Sequence, residues 1–181
     1  MIRNMKKSGI FYGSTTGITE NVAYRLADLM HIDHSQLHDV ARSKPSDVGE
    51  YDLLLLGSST WGNGDLQEDW YDFLTGIEVL DLHDKTIALF GCGDQSMCDT
   101  FCNAVGIIYQ RLQKTGARFV GAFEAGDYTF EHSKAFIDGH FVGLLIDEVN
   151  EPEKTEHRLN YWTKLLQKEL KGERAQATLQ E

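Results

Sequence analysis

The chain has 181 residues, a length that suits a single domain. Its 28 acidic and 17 basic residues give a net charge of −11, which argues against nucleic-acid or anionic-membrane binding because both need a concentrated basic surface. Three cysteines make no disulfide framework, and no apolar run approaches the roughly 18 residues of a membrane span. Residues 1–7 contain no apolar stretch before the first predicted strand, so we expect no signal peptide. We therefore expect a cytoplasmic protein with free thiols.

Short β-rich runs alternate with longer amphipathic runs, which is typical of strands alternating with helices. Such alternation predicts an α/β fold: a doubly wound five-stranded parallel sheet, in the order 2-1-3-4-5, with helices on both faces. The run at 51–58 is apolar enough to be buried on both faces. The predicted strands are 8–12, 36–40, 51–58, 86–91 and 118–123, and the predicted helices are 19–30, 67–74, 101–115 and 153–170.

One polar and aromatic segment, 124–139, interrupts this alternation. It separates the fifth predicted strand from a second apolar run at 140–146, and both runs could occupy the fifth strand position. The predicted boundaries are an N-terminal extension at 1–7, one domain at 8–171 and a disordered polar tail at 172–181.

A turn rich in glycine and hydroxyl groups joins the first strand to the first helix. Backbone N–H groups at a helix N-terminus favour an anion, and the hydroxyls of Ser14, Thr16 and Thr19 can donate to a phosphate oxygen. The turn has no Lys or Arg and no Gly-Lys-Ser/Thr pattern, which disfavours ATP and GTP. The alternative is a capping box without a ligand, in which Ser14 or Thr16 is the N-cap.

Two further loops follow the third and fourth predicted strands. In the first, Trp61 lies between small residues and could offer a flat face to a planar ring, while Gly62 and Gly64 allow backbone to come close. The alternative is a surface tryptophan or a partner contact. The loop at 91–99 could form an opposite wall with small residues and backbone N–H groups. Since carboxyl ends of parallel strands meet at one edge, the three loops predict one site. Cys98 and Cys102 lack the further ligands of a zinc-like set, so no metal site is predicted.

These motifs, in this order, resemble the flavodoxin family over nearly the whole chain. The similarity is to its long-chain branch, because 124–139 resembles the insertion that splits the fifth strand there. It implies the flavodoxin-like fold and one non-covalently bound FMN, with its phosphate in the first loop and its isoalloxazine between the other two. It also implies that Trp61 stacks on one flavin face and that Asp94, with Cys92 and Gly93, lines the pyrimidine end. The matching segments are 14–19, 60–61, 91–95, 126–130 and 141–148.

The resemblance also implies which residues hold the cofactor, with no catalytic residue among them. Family members usually place a tyrosine over the outer flavin face, but here that position falls on Met97 or Cys98, in a slightly shorter loop. Methionine is apolar and polarizable but lacks an extended π-face, so weaker stacking is expected on that side. The predicted cofactor-binding residues are Ser14, Thr15, Thr16, Gly17, Ile18, Thr19, Ser59, Thr60, Trp61, Gly62, Asn63, Gly64, Cys92, Gly93, Asp94, Met97 and Cys98.

The function implied is a low-potential one-electron carrier that passes between oxidised, semiquinone and hydroquinone FMN, and is not an enzyme. Its partners would be redox proteins, such as an NADPH-dependent flavodoxin reductase or a pyruvate oxidoreductase, and the chain would be a monomer. One alternative is an FMN-dependent quinone or flavin reductase on the same fold, and another is an activator of a radical enzyme, which is usually shorter. A phosphoacceptor signalling domain would need an acidic cluster where this chain has Phe11-Tyr12-Gly13-Ser14.

Overall fold

The computed structural model describes residues 7–178, in which strands and helices alternate except for consecutive strands at 53–66 and 118–146. Short 3₁₀ turns lie at His34–Gln36, Val40–Arg42, Pro45–Glu50 and Gln113–Thr115. The strands are β1 Ser8–Gly13, β2 Leu37–Asp39, β3 Leu53–Trp61, β4 Asp65–Leu66, β5 Thr86–Cys92, β6 Arg118–Val120, β7 Phe136–Ile137, β8 His140–Phe141 and β9 Leu144–Ile146. The α-helices are α1 Ile18–Met30, α2 Trp70–Ile77, α3 Asn103–Leu112 and α4 Pro152–Thr178.

The main sheet runs in the order β2-β1-β3-β5-β6, and every pair along this path is parallel. This confirms the parallel α/β architecture expected from the alternating pattern. Two strands share the edge beside β5: β6 pairs with Thr86–Ala88, and β9 pairs in parallel with Phe90–Cys92. The intervening segment contains the small antiparallel pair β7-β8. β6 ends at Val120 because Gly121 turns the chain with a φ of 80°.

The core lies on both faces of the central strands. Residues 53–58 of β3 and all of β5 are buried, as expected for parallel strands that helices cover on both faces. α1 packs with α4, and α2 packs with α3. Each of these helices buries one apolar face, for example Trp162 in α4 and Trp70 in α2. The rigid sheet fixes where its carboxyl-terminal loops begin, and those loops carry the predicted site.

Several boundaries differ from the sequence-based expectations. β3 continues through Trp61 and pairs with β4, so Trp61 ends a strand instead of lying at a loop tip. α2 begins at Trp70 and not at residue 67, because Gln67 is buried in the preceding turn and accepts a backbone hydrogen bond from the Trp70 N–H. α4 continues to Thr178, beyond the expected helix end at residue 170. The disorder expected for the polar tail stays a prediction. Residues 1–6 and 179–181 lie outside the described residues.

The start of the described chain is tied to the sheet. The Lys7 backbone N–H donates to the Asp52 carboxylate at 2.8 Å, and its ammonium group pairs with Glu50 at 3.0 Å. None of the helices in the described range is long and apolar enough to cross a membrane.

Candidate functional site

The first loop brings the N-terminus of α1 to the carboxyl edge of the sheet. Gly17 is the N-cap residue with a φ of 87°, a left-handed conformation that favours glycine. The Ser14 hydroxyl accepts from the Gly17 N–H at 3.2 Å, but no side chain among residues 7–178 caps the helix. The capping-box alternative is therefore wrong. The first N–H groups of α1 are left without side-chain acceptors, which favours an anion there.

Thr19 differs from the other hydroxyl residues of this loop. Its side chain is fully buried, and its Oγ1 has no hydrogen-bond partner within the described part of the chain. Thr15 and Thr16 are exposed and Ser14 is half-buried. An unpaired buried hydroxyl costs about 1–3 kcal/mol, so the first turn of α1 holds a polar group that a ligand oxygen would satisfy.

The second loop is a hairpin turn between β3 and β4. Gly62 and Gly64 have φ angles of 50° and 96°, so glycine is needed for the turn itself. The Trp61 indole is 40% exposed, and its N–H donates to the Ser59 hydroxyl at 2.8 Å. The Thr60 hydroxyl accepts from the Ala104 N–H at 3.1 Å, which links the hairpin to α3.

The third loop leaves β5 at the neighbouring position. A Cβ on Gly93 would lie 2.7 Å from the Cys102 sulfur, so the backbone can pass there only as glycine. Asp94 accepts from the Ser96 N–H at 2.8 Å and from the Asn150 amide at 2.7 Å. A hydrogen bond from the Ser96 hydroxyl, together with those from the Asn150 amide and the Ser96 N–H, lowers the pKa of Asp94 and holds its carboxylate within the protein. Burial raises the pKa of the Cys92 thiol to about 12, so this thiol stays neutral.

Met97 and Cys98 lie further along this loop. Met97 is half exposed, and the Cys98 carbonyl accepts from the N–H groups of Glu131 and His132, both at 3.0 Å. Cys102 is fully buried and precedes α3, so neither Cys98 nor Cys102 lies on a helix, although their spacing of four residues would place them on one helix face. Cys98, Asp99 and Glu131 bring their ligand atoms within 4.8 Å of one another, but both carboxylates are exposed.

The three loops enclose a cavity of about 200 Å³ at the carboxyl edge of the sheet. Its lining includes Thr16 and Ile18 from the first loop, 59–61 from the second and 92–94 from the third, so the structure brings residues of all three loops together. Nine of the predicted residues do not line this cavity: Ser14, Thr15, Gly17, Thr19, Gly62, Asn63, Gly64, Met97 and Cys98.

Two lining residues, Glu148 and Val149, were not predicted as part of the site. They follow β9, whose pairing beside β5 brings a fourth loop to the same edge. Glu148 accepts from Arg25 at 3.5 Å, and Val149 is 63% exposed. The signal in the sequence is the apolar run at 140–146: its carboxyl end had to reach this edge if the run occupied the fifth strand position.

Comparison with known proteins gives a family for this arrangement. The family model described as flavodoxin matches residues 10–162. The chain belongs to the flavodoxin family. Flavodoxin 1 of Escherichia coli (strain K12) is 44% identical over 168 residues, which cover 92% of this chain and 96% of that protein. Flavodoxin 1 of Azotobacter vinelandii is 44% identical over 170 residues, covering 91% and 98%.

Solved flavodoxin structures agree with the fold described above. The Fusobacterium nucleatum flavodoxin bound to flavin mononucleotide superimposes with a TM-score of 0.85 at 27% identity. The match covers 91% of this chain and 99% of that one. The oxidised flavodoxin 2 of Bacillus cereus has a TM-score of 0.71 at 28% identity, covering 90% and 99%.

Proposed function

We propose that this flavodoxin binds one FMN without a covalent bond and acts as a low-potential one-electron carrier between redox proteins. The observation that carries the proposal is the pairing, across one cavity, of an uncapped helix N-terminus with the exposed face of an indole. An anion-favouring end and a flat aromatic wall match the phosphate and the ring system of a flavin mononucleotide.

The first loop supports the phosphate end of this assignment. The N–H groups that begin α1 have no side-chain cap, and the buried Thr19 hydroxyl has no partner in the described chain. A phosphate oxygen near the first turn would satisfy both. Ser14, Thr15, Thr16, Gly17 and Ile18 complete the loop and would supply further backbone and hydroxyl donors. The residues present therefore fit the phosphate of FMN.

The other two loops support the ring end. Trp61 would cover one flavin face, and the backbone at Cys92, Gly93 and Asp94 would reach the pyrimidine edge. Glycine at 62 and 64 keeps the hairpin close to the ring. Met97 or Cys98 would cover the outer face, where methionine supplies dispersion contact without a π-face. All these residue assignments are proposals for this chain.

FMN supplies the electron-transfer chemistry, and the chain's own residues bind, orient and shield it. Flavodoxins are electron-transfer proteins and not enzymes. Glu148 and Asp94 place negative charge at the cavity, in a chain of net charge −11. Added negative charge on a bound group is unfavourable in such surroundings, so we expect a low potential for full reduction.

The proposal extends to the branch of the family, the partners and the location. The shared edge position of β6 and β9, with 124–139 between them, supports the long-chain branch. The exposed apolar side chains of Trp61, Met97 and Val149 offer a small surface for brief docking. The acidic charge favours basic redox partners such as an NADPH-dependent flavodoxin reductase or a pyruvate oxidoreductase. We propose a monomer in the cytoplasm, where three free cysteines are ordinary.

The test compares FMN with riboflavin, which lacks the phosphate. We expect riboflavin to bind at least tenfold more weakly, or about 1.4 kcal/mol, by fluorescence quenching. Thr19→Val should reduce the ratio between the affinities for FMN and riboflavin. Thr155→Val is the matched control, because Thr155 also buries an unpaired hydroxyl but lies on α4 and not in the first turn of α1. Equal affinities for the two flavins would contradict the phosphate assignment. NADPH alone should leave the bound flavin oxidised, whereas a flavin reductase would reduce it.

A further inference from the structure

A polar network lies behind the third loop and joins it to two other parts of the chain. Its first member is Gln95, which is 8% exposed and directly follows Asp94. The Gln95 amide donates to Asp147 at 3.1 Å and to Glu151 at 2.7 Å. Its carbonyl oxygen accepts from the Thr129 N–H at 2.6 Å. Gln95 therefore connects the third loop, the β9–α4 connection and the segment 124–139, which we call the insertion.

Arg158 on α4 is the second member of this network. Its side chain is only 3% exposed, and its guanidinium group lies 3.9 Å over the Tyr128 ring. It donates from Nη2 to Glu151 at 2.7 Å and to Asp127 at 3.2 Å, while Nε and Nη1 have no hydrogen-bond partner among the residues described. The Tyr128 hydroxyl donates to the Leu145 carbonyl at 2.5 Å. Arg158 thus holds two consecutive residues of the insertion against α4.

Glu151 joins these two members. Partial burial alone would raise its pKa, but hydrogen bonds from Lys154, Gln95 and Arg158 lower it to about 2. The carboxylate is therefore ionised at neutral pH and accepts from both Gln95 and Arg158. Because Arg158 is buried and its Nη2 bonds to both Glu151 and Asp127, loss of either carboxylate removes a charged acceptor from a buried cation, and the rest of the network must rearrange.

We infer that Gln95 and Arg158 are positioning residues that couple the insertion to the loop carrying Gly93 and Asp94. An ordered insertion fixes Gln95, and Gln95 fixes the backbone beside the flavin pocket. By reciprocity, FMN binding at that loop stabilises the insertion. This inference rests on the proposed FMN site and goes beyond it, because Gln95, Arg158, Asp127 and Tyr128 do not line the cavity.

The test measures amide hydrogen exchange of the full chain with and without FMN. We expect FMN to slow exchange at the Thr129 amide at least fivefold, the lower end of typical coupling between sites. Asp127→Asn removes one carboxylate from Arg158 at a 60% exposed position, so folding is preserved. Asp127→Asn and Arg158→Met should both reduce this protection and weaken FMN binding. Arg158→Met should have the larger effect. Arg158→Lys should restore part of the affinity.

Glu124→Gln is the matched control, because Glu124 is an exposed carboxylate on the same insertion outside the network. It should leave the protection of Thr129 and the FMN affinity unchanged. A Thr129 amide that FMN does not protect, in a chain that binds FMN, overturns the coupling. An equal effect of Glu124→Gln and Asp127→Asn also overturns it.

A measurement on the ligand-free chain separates this inference from the proposed cofactor. Asp127→Asn should speed exchange at the amides of Gln95 and Ser96 even without FMN, because the positioning operates through the protein alone. Faster exchange there supports the coupling even if FMN fails to bind, which would defeat only the proposed function. Unchanged exchange at both amides overturns the coupling.

Discussion

The two walls of the pocket are held in different ways. The Trp61 wall is a short hairpin whose indole is 40% exposed and bonds only to the nearby Ser59 hydroxyl. The opposite wall at 93–96 is anchored by Asp147, which accepts from the Gln95 backbone N–H at 2.9 Å, and by Asn150 and Thr129. One wall has few contacts outside its own hairpin, and the other is fixed by three residues from two other parts of the chain.

This difference indicates that one wall mainly contacts the bound ring and that the other mainly positions the backbone around it. A wall with few external bonds can adjust to a bound ring, and its energetic contribution comes from the aromatic face. A wall fixed by buried charge-assisted bonds holds its backbone in one arrangement, and its contribution comes from preorganisation. Substitutions in the first wall should change cofactor contact, whereas substitutions behind the second should also change folding stability.

The largest effect should follow from loss of the aromatic face. Trp61→Ala should weaken FMN binding by about 1–3 kcal/mol, the usual range for losing an aromatic stacking partner. Met97→Ala should cost less, because methionine offers only dispersion contact. Val79→Ala, at a 75% exposed site away from the pocket, is the control. Fluorescence titration gives the three affinities. A larger loss from Met97→Ala than from Trp61→Ala would show that the placement of the two side chains around the ring is wrong.

The carboxylate network behind the wall at 93–96 should make folding stability depend on pH in the acid range. The pKa of Glu151 is about 2 in the folded chain, against an ordinary 4.5. A lowered folded pKa means that the carboxylate stabilises the fold above pH 4.5 and that this stabilisation is lost between pH 4.5 and about 2. Glu151→Gln should therefore cost on the order of 1–2 kcal/mol at pH 7, and less as the pH falls through this range. Urea unfolding of the ligand-free chain across this pH range measures the difference.

Glu78 provides a control for that experiment outside either wall. Its pKa is also lowered to about 2, chiefly by the hydrogen bond from Arg111. Glu78→Gln should change stability over the same pH range without changing FMN affinity, whereas Glu151→Gln should change both. Equal FMN affinities for Glu151→Gln and the unmodified chain would contradict the positioning role of the second wall.

The smallest effect concerns the turn of the Trp61 hairpin. Gly62 has a φ of 50°, and a Cβ there would lie 3.0 Å from the Asp65 carboxylate. Gly62→Ala should cost about 1 kcal/mol of folding stability, and Gly62→Asn less, because asparagine tolerates left-handed backbone. If a peptide reorientation at Gly62 accompanies reduction, Gly62→Ala should also bring the two one-electron potentials closer while FMN stays bound. If a redox titration of Gly62→Ala shows the same separation between the two potentials as the unmodified chain, glycine at this position serves only the geometry of the turn.

The parts of the fold that depend on local pattern could be predicted from the sequence. The apolar run at 51–58 became the buried strand β3, and the hydroxyl-rich turn became an uncapped helix start. The predicted ends of helices were wrong where side-chain contacts or neighbouring elements determine them. Gln67 delays α2 through its turn contacts, and the backbone of 172–178 continues α4 although its polar composition suggested disorder.

The sequence by itself determined the alternation of strands and helices, and with it the edge of the sheet where three loops had to meet. Tertiary structure decided what those loops do there. Pairing of β9 beside β5 brought Glu148 and Val149 to the pocket, and packing buried the Thr19 hydroxyl. Gln95 is anchored by Asp147 and Glu151, which lie 52 and 56 positions further along the chain. Periodicity reports only which face of a local element is buried, so contacts between such distant residues follow from the packed sheet and helices.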